Sequence, residues 1–249
     1  WWDRTLRVFV LYLYRLITTN CSAIFVQNSC DFKIFANSIA PQCGLDGRLF
    51  LVGGSGVDLK FFERRTPSLA RLRFLMISRI LLDKGVVEFL HAARVIKAKY
   101  PWVEFKLIGS FSDNPSSLNR SVVEDAEKRG DIFYVESTND IFREICDCSV
   151  FVLPSYREGC PRAAIESLAV GRAVVVSDVP GCREVVIHGE NGFLVDRADS
   201  VGLAEAIQKF IVRPDLILEF SDKSRELAEQ KFDVGDVIDQ YMVAVERGS

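Results

Sequence analysis

The sequence predicts an α/β fold built on a parallel sheet, and three observations carry that expectation. Between Leu72 and Val176, short apolar runs alternate with segments of helical periodicity. The runs are apolar at consecutive positions, the mark of strands covered by helices on both faces. The chain has 249 residues, 49% hydrophobic and 26% charged, enough to bury a sizeable core.

Taken in order, Leu6–Ile17 reads as an amphipathic helix, too short to span a bilayer and interrupted by Arg7 and Arg15. Those arginines share one face, and burial of the aromatic and aliphatic face is favoured over docking on a membrane. Ala23–Asn28 reads as a buried strand, Asp31 as the cap of the next helix, and Arg48–Val52 as a second strand. Gly53-Gly54-Ser55-Gly56 marks a turn or hinge, and Glu63–Ser68 an exposed linker. Strands follow at Arg73–Ile77, Val103–Ile108, Ile132–Val135, Val150–Leu153 and Ala173–Val176. Helices fall at Val86–Lys99, Ser121–Lys128, Asp140–Cys146 and Arg162–Val170. The tail is helical at Leu203–Val212, Leu216–Lys231 and about Val237–Val245. The architecture expected is a Rossmann-like parallel sheet flanked by helices, preceded by part of a second such unit whose opening strands are absent. Residues 1–55 form that remnant, 56–70 the hinge and linker, and 71–249 the main domain. The chain begins Trp1-Trp2-Asp3 without Met, so a fragment or truncated reading frame is expected.

A formal net charge of -3 and the lack of a Lys/Arg run argue against nucleic-acid binding. Seven cysteines lie scattered without zinc spacing, and there are only two histidines, so no metal centre is expected. Buried free thiols in a reducing cytoplasm are the plain reading of those cysteines.

Two segments carry chemistry. After the first strand of the main domain comes Ser78-Arg79-Ile80-Leu81-Leu82-Asp83-Lys84-Gly85, placing two cations where a loop turns into a helix. Helix starts attract anions, Arg79 can fork onto phosphate oxygens, and Lys84 can add a mobile charge. Taken alone, the pair reads more readily as two solvent-facing loop charges. The second segment runs from Leu153 to Ala169, with Glu158 in a glycine loop, Pro161 suited to a first helical turn, and Glu166 inside the helix. Five helical residues from Pro161 to Glu166 give a rise of roughly 7–8 Å, so both carboxylates reach one cleft at different depths. A carboxylate in so apolar a helix is costly unless hydrogen-bonded, which favours a ligand-facing role for Glu166.

The Glu158-x7-Glu166 element, the Ser78-Arg79…Lys84-Gly85 loop, the run Gly171–Glu184 and the run Gly189–Val195 together resemble retaining glycosyltransferases of the GT-B fold. The resemblance is strongest to bacterial enzymes of capsule, O-antigen or lipid-linked oligosaccharide synthesis. It implies that Arg79 and Lys84 bind the donor pyrophosphate, that Glu166 holds the ribose, and that Glu158 contacts the sugar. It further implies backbone contacts from Gly159, Cys160 and Pro161 and, at Gly109, either room for the base or only a tight strand exit. Ser78 stands where the family has glycine; Asp178 and Glu184 read as structural or capping. The implied reaction is retaining transfer from a nucleoside diphosphate sugar, UDP-sugar favoured, to a glycan or polyprenyl-linked acceptor. No metal or cofactor is called for, since the cations take the charge that a divalent metal would meet and no Asp-x-Asp motif is present. The setting implied is cytoplasmic, with peripheral association at the inner face of the plasma membrane. Two rivals stay open: a nucleotide-sugar-binding fragment without turnover, and a non-hydrolysing epimerase lacking identifiable acid/base residues. A nicotinamide dehydrogenase is disfavoured, because Gly53–Gly56 precedes a linker and no clear helix. The last helix, from Phe232 to Val245, is expected to pack back across the interdomain cleft with part of its apolar face exposed.

Overall fold

A computed structural model describes residues 4–18, 21–43 and 47–248. Trp1–Asp3 and the side chains of Arg7 and Cys43 lie outside the described residues. The N-terminal segment comprises α1 (Arg4–Thr18), β1 (Ile24–Val26), α2 (Ser29–Ser38), α3 (Ala40–Cys43) and β2 (Leu49–Leu51), with β1 and β2 paired in parallel. The main domain runs β3 (Arg73–Ile77), α4 (Val86–Lys99), β4 (Glu104–Ile108), α5 (Arg120–Lys128), β5 (Phe133–Val135), α6 (Ile141–Cys146), β6 (Val150–Leu153), α7 (Arg162–Val170), β7 (Ala173–Ser177) and β8 (Gly192–Val195). Three helices close it: α8 (Ser200–Val212), α9 (Asp215–Lys231) and α10 (Val234–Gly248).

The main sheet has the order β5-β4-β3-β6-β7-β8, and every pairing is parallel. Strand order therefore reverses between β3 and β6, opening a crevice at their carboxyl ends, where open α/β sheets bind ligands. All residues of β6 and β7 are buried, which is why both read as continuous apolar runs. Phe74 of β3 stacks on Phe105 of β4 at 5.2 Å, and Phe89 of α4 meets Phe105 edge-on. Burial of each such ring contributes about 1.5–3 kcal/mol. The wall beneath the crevice is thus closely packed.

Several expectations are corrected. The cap of α2 is Asn28, whose side chain accepts from Asp31 N; Asp31 sits in the first turn. Pro161 precedes the first turn of α7 as its extended N-cap residue. The short strand β8 lies within a stretch rich in glycine and asparagine that gave no strand signal by itself. The burial expected for α1 is also overturned: Phe9, Tyr12, Leu16 and Ile17 are exposed, because two short strands offer little surface to cover them. Among the described side chains of α1, Leu11 packs on the small Ile39–Ala40 cluster, while Tyr14 meets Phe35 edge-on. Of the described cysteines, Cys148 and Cys182 are buried and the other four half-buried, all as free thiols. No helix among the described residues is long and apolar enough to cross a membrane.

At the other end of the chain, α10 crosses back to the N-terminal segment. Its Tyr241 meets Phe25 of β1 at 4.4 Å, while Ile238 and Met242 remain exposed.

Candidate functional site: the carboxyl edge of β3 and β6

The two loops flanking the switch point are clamped together. A short 3-10 turn, Leu82–Lys84, ends at Gly85, whose left-handed backbone (φ 74°) starts α4. A Cβ at Gly85 would stand 2.0 Å from the Pro154 carbonyl oxygen, so only glycine allows the loops this close. From the other side, Tyr156 N donates to Asp83 O (2.7 Å), and the Ser155 hydroxyl donates to the same carbonyl (3.1 Å). Tyr156 also donates its hydroxyl to Glu88 Oε1 of α4 at 2.7 Å. That bond, with burial and the charge of Glu88, pushes the Tyr156 phenol up to about 12, so it stays a donor. Glu88 Oε2 is buried without a hydrogen-bond partner among the described residues.

This clamp brings Lys84 and Glu158 together across 74 positions of sequence. Lys84 Nζ donates to Glu158 Oε1 at 2.7 Å, with the side chains 17% and 13% exposed. Half-buried pairs are screened by water far less than surface ones. Arg79 sits exposed at the exit of β3, its side chain making no ion pair or hydrogen bond among the described residues and so available to an anion. The Ser78 hydroxyl turns to its neighbour's carbonyl, Arg79 O, at 3.0 Å. Gly109 lies under that loop, and a Cβ there would come within 1.7 Å of Ser78 O. A tight strand exit is therefore sufficient reason for this glycine.

Glu166 lies elsewhere in the crevice. It is 9% exposed and accepts from Arg162 Nε at 2.9 Å, one helical turn away. Burial pushes its carboxyl above the ordinary value, and Arg162 only partly offsets this. Both residues line a cleft of about 510 Å³ with Ser55–Asp58, Phe61 and Phe62, and Asn139–Phe142 after β5. Glu166 thus faces this cleft from α7, while Lys84 and Glu158 meet at the strand exits. Gly159 is exposed, and its carbonyl accepts from Asn28. Cys160 packs near Gly54, and burial pushes its thiol up to about 12, leaving it neutral. Pro161 is buried and gives no backbone donor. Outside this site, Asp178 pairs with Arg183, and Glu184 caps α2 from across the interface.

Sequence reasoning missed three contacts, Arg162–Glu166, Tyr156–Glu88 and Asn28–Gly159. Arg162 was visible in its i,i+4 spacing to Glu166. Tyr156–Glu88 and Asn28–Gly159 left no local trace, because the partners are 68 and 131 residues apart.

The model of the family "Glycosyl transferases group 1" matches residues 71–212, more than half of the chain and the span of the whole six-stranded sheet. This chain belongs to the glycosyl transferases group 1 family. It is 32% identical over 173 residues to N,N'-diacetylbacillosaminyl-diphospho-undecaprenol alpha-1,3-N-acetylgalactosaminyltransferase of Campylobacter jejuni, covering 70% of this chain and 44% of that protein. It is 27% identical over 240 residues to the capsular polysaccharide biosynthesis glycosyltransferase CapM of Staphylococcus aureus, covering 91% of this chain and 62% of that one. The chain thus spans about half the length of these relatives. Among solved structures it superposes on sucrose-phosphate synthase of Thermosynechococcus elongatus with a TM-score of 0.80 at 23% identity, covering 99% of this chain and 63% of that one. It superposes on Anabaena HepE in complex with UDP at 0.79 and 19% identity, covering 95% and 67%. At these identities the superpositions speak for the fold, which is that of the GT-B glycosyltransferases.

Proposed function

We propose that this chain carries the donor side of a retaining glycosyltransferase. It moves a sugar from a nucleoside diphosphate sugar, UDP-sugar favoured, to a glycan or lipid-linked acceptor in cell-surface polysaccharide synthesis. The observation that carries the reading is the Lys84–Glu158 pair, held at the switch point, with the Arg79 side chain unpartnered among the described residues at the exit of β3. As the bond from the anomeric carbon to the diphosphate breaks, its electron pair goes to the phosphate oxygen, where Lys84 and Arg79 stabilise the charge. The acceptor oxygen bonds to the anomeric carbon from the same face, and its proton passes to the departing phosphate. Glu158 is placed by Lys84 to orient the sugar, and Glu166 to meet the ribose hydroxyls in the hinge cleft. These charges take the part a divalent metal would otherwise fill. UDP is favoured because HepE and the staphylococcal TarM structure hold UDP. The lipid-linked acceptor, and with it a site of action at the inner membrane face, is supported by the undecaprenol-linked substrate in the Campylobacter relative's name.

Calorimetric titration with UDP- and GDP-sugars, alongside Glu166→Ala and Lys84→Ala, tests the site. Binding lost in both variants supports it; folded protein that binds neither nucleotide sugar overturns it. Sugar transfer in the same samples separates an enzyme from a binding fragment. An inverted product anomer by NMR would refute retention.

A further inference from the structure

The N-terminal segment touches the candidate donor loop through one helix start, and the chemistry of that contact is specific. Asn28, only 1% exposed, uses its whole amide. Its Oδ1 accepts from Asp31 N (2.8 Å), while Nδ2 donates to Asp31 Oδ2 (2.8 Å) and to Gly159 O (3.0 Å). Serine or aspartate caps a helix as well as asparagine does, but neither offers an amide donor toward Gly159. Beside it, Ser29 N donates to Glu184 Oε1 at 2.8 Å, and the other oxygen of Glu184 accepts from Lys231 Nζ at 2.6 Å. Arg157, next to Glu158, lies 3.7 Å from Asp31 Oδ1. The two contacted loops also pack on each other, since a Cβ at Gly181 would come within 2.4 Å of Glu158 O. Burial alone would raise the Glu184 carboxyl, but Lys231 and Ser29 outweigh it and hold it below its ordinary value.

We propose that Asn28 and Glu184 form an interdomain lock in which Asn28 is a positioning residue for the donor site, fixing the Glu158–Gly159 loop through the Gly159 carbonyl. This rests on the reading of Glu158 as a donor-site residue. A carbonyl tied from outside the domain fixes the Gly159–Cys160 peptide plane, one residue beyond Glu158, and so restricts how the loop can turn that carboxylate. The lock also makes the site depend on how the two halves sit. If the N-terminal segment moves away, Gly159 O loses its donor and Ser29 N its acceptor together.

The test is hydrogen–deuterium exchange of the whole chain without ligand, comparing wild type with Asn28→Ser and Glu184→Gln. Serine keeps the cap and deletes the amide donor, with its bonds to Gly159 O and to Asp31 Oδ2. Amide exchange over residues 155–161 should accelerate roughly fivefold to tenfold in Asn28→Ser, with residues 30–38 and the melting temperature little changed. Glu184→Gln keeps an acceptor for Ser29 N and loses the charge toward Lys231, so it should loosen residues 29–31 and 181–184 instead. Unchanged exchange over 155–161 in Asn28→Ser, or equal acceleration throughout α2, overturns the lock. UDP titration of the same samples then tests positioning. A several-fold weaker affinity in Asn28→Ser supports it, and a loosened loop with unaltered UDP affinity refutes it. Should wild type bind no UDP, the donor-site reading falls and positioning with it, while exchange still decides the lock.

Discussion

Replacing Gly85 by alanine tests whether the clamp between the two loops both stabilises the domain and sets the site. The residue adopts φ 74°, where a Cβ costs about 1–2 kcal/mol. The new methyl would lie 2.0 Å from Pro154 O, roughly 1.3 Å inside the closest comfortable C···O approach. Pro154 is buried and follows directly on β6, so it cannot swing aside as a surface side chain would. Forcing the loops apart adds about 1–3 kcal/mol of overpacking, for a total of about 2–5 kcal/mol. Lys84 lies on one side of the forced gap and Glu158 on the other. A misplacement on the order of 1 Å can lower turnover about a hundredfold. Urea unfolding followed by circular dichroism measures the first effect, and donor titration with transfer assays the second. A Gly85→Ala protein within about 1 kcal/mol of wild type would refute the clash. One destabilised as reckoned but with unaltered donor affinity and turnover would refute the link from clamp to site.

Two further predictions concern the scaffold. Arg172 is fully buried and donates to Ile145 O, Cys146 O, Arg65 O and Gly171 O, all carbonyls. Arg172→Met should lower stability by about 2–4 kcal/mol, the lost charged hydrogen bonds outweighing relief of the buried charge. Arg172→Lys should not restore it, lacking the planar fork; an unfolding midpoint equal to wild type in either variant would contradict this. Burial raises the Glu104 carboxyl, but Arg71 and Arg73 outweigh it, so its folded pKa lies below the ordinary value. Its stabilisation, at most about 1 kcal/mol, is therefore present above the ordinary glutamate range and lost as pH falls through the lowered pKa. The gap in melting temperature between wild type and Glu104→Gln should shrink along that descent; a gap that widens in acid would reverse the assignment.

The sheet was legible where local pattern and tertiary environment agree. Val150–Leu153 is apolar at every position because every position is covered, and Val86–Lys99 begins at the glycine that its turn needs. Glu166 stood out as an acid in an otherwise apolar helix. The interface was not legible, since nothing in Asn28-Ser29-Cys30-Asp31 says which residue caps or that Gly159 waits opposite. Arg172 escaped notice for a related reason. In Gly171-Arg172-Ala173 it looks like a turn charge, and only the fold shows that the end of α6 surrounds it with carbonyls.

The chain passes between its two halves twice, at Val57 and at Phe232–Val234. The passages are bonded to each other, Val57 N donating to Phe232 O (2.8 Å) and Val234 N to Val57 O (3.1 Å). Glycine lets them touch, because a Cβ at Gly56 would come within 2.9 Å of the Val234 Cα. Two tethers bonded at one point behave like the strands of a single cord, so a pull on either half is felt by both passages together. A residue inserted in either tether would break this pairing and shift the faces on both sides of the cleft at once.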